Sequence, residues 1–162
     1  SRLLRWRAFT RVRVHGSGGK ADAPTNYLDC RLARTLLSWA PTLRAKGVVG
    51  LEHYSMYRAE SVVGRSNKPS GHSLGRAIDL AKFELRDGRV LSVLDDWTQR
   101  TRGGDPCRSW PDDADARLMR QLVCEAAARG LFHIVVTPHH NDAHANHVHL
   151  EIDPQGQSLW IR

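Results

Sequence analysis

The stretch from Arg76 to Leu94 constrains the fold more than any other part of the chain. Residues 76–85, Arg-Ala-Ile-Asp-Leu-Ala-Lys-Phe-Glu-Leu, read as a strand, Asp87-Gly88 as a tight turn, and residues 89–94 as the returning strand. Such a hairpin needs an antiparallel sheet around it. Asp79 is the odd member of the first strand. Alternation puts it with the small Ala77 and Ala81, while Ile78 and Leu80 face the other way. A carboxylate beside a core requires a partner or a metal ion, and small neighbours leave room for one.

The remaining elements build a layer around that hairpin. Leu28, Leu32, Leu36 and Trp39 recur at close to 3.6 residues, which predicts a helix over 27–39 closed by Pro41 and Gly47. Short extended segments are expected over 48–57, and the polar stretch 61–71 reads as a loop rimming a site. After a loop over 98–111, Asp112 or Asp113 can cap a second helix running to about Arg129, with Leu118, Leu122, Cys124 and Ala126 less polar and Gly130 as its stop. Residues 131–137 and 146–152 are further strands. This order predicts an α+β fold: a two-layer domain with a small, mainly antiparallel sheet and flanking helices. The 162 residues suffice for one such domain, and no run of eighteen apolar residues exists to span a membrane.

A formal charge of +7 invites a nucleic-acid reading, but its distribution argues against one. Residues 1–20 carry six basic side chains (Arg2, Arg5, Arg7, Arg11, Arg13, Lys20) and no acid, against eighteen basic and seventeen acidic residues in the remainder. The division expected is a basic, glycine-rich arm over 1–26 and a nearly neutral domain over 27–162. A basic arm can touch phosphate, but a solvated end segment is the preferred reading. Nucleic-acid binding or phosphodiester hydrolysis is therefore the weakest of the functional alternatives. The chain begins with Ser, which fits a processed N-terminus, and no stretch reads as a signal peptide.

The chemistry concentrates in two clusters. Five of the nine histidines (His139, His140, His144, His147 and His149) crowd one short stretch. If 146–152 is extended, Val148, Leu150 and Ile152 share one face and His147, His149 and Glu151 the other. Packing accounts for the first face and not for the second. The other cluster is Ser70-Gly71-His72-Ser73-Leu74-Gly75-Arg76-Ala77-Ile78-Asp79, in which the glycines let His72 return toward the strand that carries Asp79. His72, Asp79 and one histidine of the 147/149 pair would make a ligand set for catalytic zinc with a fourth position for water. Alternation permits either histidine as the third ligand. Glu151 can hydrogen-bond a ligand's second nitrogen or end the strand in solvent.

These residues resemble the extensin-like C-terminal domain family of bacteria, and through it the zinc D-Ala-D-Ala carboxypeptidases and murein endopeptidases. Ser70, His72, Gly75, Ala77 and Asp79 meet the pattern Ser-x-His-x-x-Gly-x-Ala-x-Asp in full, and His147 and His149 supply the terminal His-x-His. The resemblance implies His72, Asp79 and His149 as ligands of Zn2+ and His147 as catalytic base or transition-state stabiliser. It further implies His144 as a supporting histidine and Arg58, in Tyr57-Arg58, as a contact for substrate or developing oxyanion. Asn146-His147-Val148-His149 lacks the glutamate of the carboxypeptidases' Glu-x-x-His, which favours the endopeptidase branch. Tyr57 stands where extensin-like members commonly carry Cys. That departure displaces the usual disulfide arrangement; Cys107 and Cys124, flanking a loop-to-helix segment, are the preferred pair, with Cys30 free. The implied function is zinc-dependent cleavage of a peptide bond in peptidoglycan stem peptides or cross-links, in the periplasm or outside the cell. The alternative is a noncatalytic, zinc-containing wall-binding module.

Overall fold

The computed structural model describes residues 3–5, 12–20, 22–153, 155–156 and 159–162. The architecture is α+β, an open sheet backed by helices. Its strands are β1 (Leu3–Arg5), β2 (Arg13–Gly16), β3 (Tyr27–Asp29), β4 (Val48–His53), β5 (Ala77–Leu85), β6 (Val90–Ser92), β7 (Ile134–Val136), β8 (Val148–Glu151) and β9 (Trp160–Ile161). The helices are α1 (Cys30–Ala45), α2 (Val93–Asp96) and α3 (Ala114–Ala128). In the main sheet the order is β2-β4-β5-β8-β7-β9, with β6 also on β5, while β1 and β3 form a separate pair. Pairing is antiparallel except for β2–β4 and β7–β9.

One core joins Leu32, Leu36 and Trp39 of α1 to Met119 and Val123 of α3 and to Ile78, Leu80, Val148 and Leu150 of the sheet. Burying a side chain of this size contributes roughly 1.5–3 kcal/mol, so the apolar face of β5 and β8 is fixed firmly. The opposite face of the same two strands is left for Asp79 and His149. Strand β5 does not alternate throughout. Glu52 pairs with Lys82 but His53 with Leu80, so Ala81 is a bulge residue. The extra residue lets Ile78 and Leu80 on one side of it, and Phe83 and Leu85 on the other, all reach the buried interior.

Several element boundaries differ from those the sequence predicts. Residues 27–29 are strand rather than helix, and Asp29 caps α1 by accepting the Arg31 N–H at 2.8 Å. Pro41 lies inside α1, on its exposed side, and the helix continues to Ala45 because Ala40 and Leu43 remain packed in the core; Gly47, at φ +86°, follows its end. The returning strand of the hairpin ends at Ser92, which caps α2. Its Oγ accepts from Asp95 N, while its own N–H donates to the Asp96 carboxylate at 2.7 Å. Asp113 is the cap of α3, whose inward face is Ala116, Met119, Leu122, Val123 and Ala126; Leu118 is only partly buried. Strand β9, beyond the last strand the sequence predicts, adds to the sheet edge.

Part of the basic arm is built into the fold. Val12 is buried, β2 lies parallel to β4, and Arg13 pairs with Glu84 at 2.6 Å. Apolar Val12 and Val14 supply the alternation that a sheet strand needs. Arg2, Arg7 and Arg11 lie outside the described residues. The disulfide joins Cys107 to Cys124, and Cys30 is free and exposed. Among the described residues no helix is long and apolar enough to cross a membrane.

Candidate metal centre

Three elements bring His72, Asp79 and His149 to one point. His72 sits in a 3₁₀ turn, Gly71–Leu74, which Ser70 caps by accepting the His72 N–H at 3.3 Å. Gly75 ends that turn at φ +64°, and a Cβ there would lie 2.6 Å from Leu3 Cδ2 and 2.9 Å from Asp29 N. Both conformation and space therefore demand glycine. Asp79 on β5 and His149 on β8 are direct partners in the antiparallel register, so they leave the sheet side by side.

His72 Nε2 and His149 Nδ1 each lie 3.0 Å from Asp79 Oδ1 and 3.2 Å from one another. The partners on the far sides of the rings set the tautomers. His72 Nδ1 is 3.2 Å from the Met56 carbonyl, an acceptor, and so carries the proton. His149 Nε2 is 3.1 Å from the Glu151 carboxylate and carries the proton for the same reason. In those neutral tautomers, three lone-pair atoms face each other with no hydrogen between them. That arrangement repels itself unless a cation occupies its centre. A tetrahedral ion with ligands at about 2.0–2.1 Å separates its ligand atoms by about 3.3 Å, close to the separations found here. These three residues could hold a metal ion.

Protonation of His149 also relieves that repulsion. Burial disfavours charge on His149, yet the Asp79 and Glu151 carboxylates outweigh it and raise its pKa to about 9. Burial likewise works against the Asp79 carboxylate, but hydrogen bonds with His149 and His72 hold its pKa far below the usual range. The second oxygen, Oδ2, accepts from the buried Ser55 Oγ at 3.3 Å and lies 3.5 Å from Arg58 Nη2. The two oxygens are thus divided, Oδ1 toward the two imidazoles and Oδ2 toward Ser55 and Arg58. Arg58 is half exposed and reaches from this carboxylate into solvent.

The other predicted site residues gather at the rim. His147 Nε2 lies 3.7 Å from Asp79 Oδ1, outside the tight trio, and its Nδ1 is 2.8 Å from the Asn146 side-chain oxygen. Nδ1 therefore donates, leaving Nε2 as a lone pair turned toward the centre. Burial lowers the His147 pKa, so the ring is neutral near neutral pH. His144 packs against it at 5.0 Å between ring centres, bonds Asn141, and has its pKa lowered to about 4 by burial and by the neighbouring histidines. His139 and His140 stand apart from the trio. His139 is buried against Trp97, and His140 contacts His144 and Trp160.

Ser55 and the Met56 carbonyl, which orient Asp79 and His72, went unmarked in the sequence. An isolated Ser and a backbone carbonyl carry no spacing signal. Gly71 has a similar role, because a Cβ there would lie 2.3 Å from Glu151 Cδ and displace the carboxylate that orients His149. His53 is also fully buried beside these strands, with neither ring nitrogen partnered among the described residues, and burial pushes its pKa down to about 4.

No curated protein and no solved structure matches the chain. The family model described as extensin-like protein C-terminus matches residues 7–161, which takes in every residue of the site. The chain belongs to the extensin-like protein C-terminus family.

Proposed function

We propose that this protein is a zinc-dependent hydrolase that cleaves a peptide bond in peptidoglycan stem peptides or cross-links. The observation that carries the reading is the trio of mutually facing lone pairs on His72, Asp79 and His149, each oriented by a separate partner. Two imidazole nitrogens and one carboxylate oxygen suit zinc among the common divalent ions. Zinc held there would supply Lewis acidity and a bound water acidified to near neutrality.

The chain's own groups account for the rest of the chemistry. His147, neutral and with Nε2 toward the centre, accepts a proton and returns it to the leaving amine. Arg58 places a fixed positive charge beside the centre, where a carbonyl oxygen gains negative charge. Glu151 holds the His149 ring, and Ser55 holds the carboxylate of Asp79. The resemblance of these motifs to zinc D-Ala-D-Ala carboxypeptidases and murein endopeptidases supports the substrate class. The Cys107–Cys124 disulfide supports a periplasmic or extracellular place of action, where such bonds persist.

The test is turnover. Purified protein loaded with zinc should release new amino groups from isolated wall fragments, and chelation should stop the release. A metal-loaded protein that leaves every type of cross-link and stem peptide intact would overturn the reading; binding to the wall without cleavage would identify a binding module instead.

A further inference from the structure

Five rings stand in an unbroken row from the metal centre to the edge of the sheet. Tyr54 meets His147 at 6.1 Å, His147 meets His144 at 5.0 Å, His144 meets His140 at 5.8 Å, and His140 meets Trp160 at 5.5 Å. The two ends are open, Tyr54 at 40% and Trp160 at 39% exposure. Strand register places Trp160 on the same face independently of those contacts. Trp160 pairs with Ile134, Ile134 with Glu151, and Glu151 touches His149. The intervening row, Ile161, Val135 and Leu150, points to the core. Trp160 has no part in the chemistry derived above, so the row has an end without a task.

The lining at that end combines a flat, partly exposed indole with donors packed against it. The Arg162 guanidinium lies over one face of the Trp160 ring, 5.9 Å from its centre, and His140 packs in a T-shaped contact with it. A pyranose ring matches both properties, with a C–H face to stack on indole and a rim of hydroxyl and acetamido groups to hydrogen-bond the flanking donors. The three ring steps from Trp160 to His147 each measure 5.0–5.8 Å. Four to five extended residues cover such a path at about 3.3–3.6 Å each. That is the scale of a short peptide joined to a sugar.

We propose that Trp160 and His140 form a sugar subsite, so that the substrate is a peptide still attached to an N-acetylhexosamine glycan and lies along the ring row toward the metal centre. The proposal rests on the peptidase reading for the peptide half alone. Short N-acetylglucosamine oligomers should bind the full chain and shift the Trp160 indole N–H resonance, identified as the one missing from Trp160→Phe. Trp160→Ala should weaken that binding by about fivefold to tenfold, with Trp160→Phe between it and wild type and serving as the better-folded variant. In turnover, Trp160→Ala should raise KM for glycan-linked peptide and leave KM for the free peptide and both kcat values unchanged. No oligomer binding by wild type, equal binding by wild type and both variants, or an equal rise of KM on the two substrates would overturn the subsite. Absent turnover with Trp160-dependent oligomer binding would instead overturn the peptidase reading and leave the subsite standing.

Discussion

The ligand trio and the His144–His147 pair lie within a few ångströms of each other but are held differently. His72, Asp79 and His149 are anchored by a 3₁₀ turn and two central strands, and each is oriented by a buried or partly buried partner: the Met56 carbonyl, Ser55 or Glu151. His144 and His147 sit in and beside the turn that precedes β8, and their Nδ1 atoms bond only to asparagines close by in sequence. Fixed geometry and proton exchange make opposite demands. In the proposed reading an ion needs ligands that do not move, and two come from central strands and the third from a capped turn. The proton carrier proposed needs one lone pair toward the centre and some contact with water, which the approach to a strand can provide.

Removing a member of each set should separate their two roles most clearly. His149→Ala and Asp79→Ala should weaken zinc binding by well over about 100-fold, since each deletes a direct ligand; calorimetric titration of the apo-protein measures it. His147→Ala should keep most of the metal and lose about 10²- to 10⁴-fold in kcat, the range of a general base. Equal metal loss in His147→Ala and His149→Ala would erase the distinction between the two sets.

Smaller changes sharpen it. Glu151→Gln keeps the shape of the side chain but removes the charge that orients His149, so zinc affinity should fall by about 10- to 100-fold. Glu151→Gln binding metal like wild type would reassign Glu151 to solvent. The smallest step is the change per pH unit. Because the metal-free His149 holds its proton up to a pKa of about 9, zinc must displace that proton at neutral pH. Apparent affinity should therefore tighten by about tenfold per pH unit between pH 6 and 8, with one proton released per ion bound. The sign follows from a raised pKa: the protonated form dominates below it and competes with the metal. Titrations in buffers of different ionisation enthalpy count the protons, and a count of zero would remove His149 from the ligand set.

Legibility in the sequence followed the range of the interactions. The alternation of β8, the hairpin around Asp87-Gly88 and the helical repeat of Leu32, Leu36 and Trp39 depend on near neighbours and could be read directly. The ends of α1 and the short β6 could not. Pro41 argues locally for a stop, but packing of Ala40 and Leu43 carries the helix past it. Ser92 forms a cap only because the chain turns away from the sheet at that point. The bulge at Ala81 leaves no mark in the pattern of residue types, since it arises from pairing with β4.

By itself the sequence marked the residues on which the proposed chemistry rests. Asp79 in an apolar strand, His72 between two glycines, and alternating His147 and His149 mark themselves by residue type and period. Periodicity left open which of those histidines joins Asp79, and the tertiary structure decided it. Alternation puts both on one face, and only the antiparallel register of β5 and β8, which pairs Asp79 with His149, tells them apart. It also decided which nitrogen of each ring faces the centre, because that depends on Met56 and Glu151, groups brought to the far side of each ring by the fold. Local pattern reflects a single strand's own geometry, whereas three atoms about 3 Å apart depend on how separate strands and turns are held together.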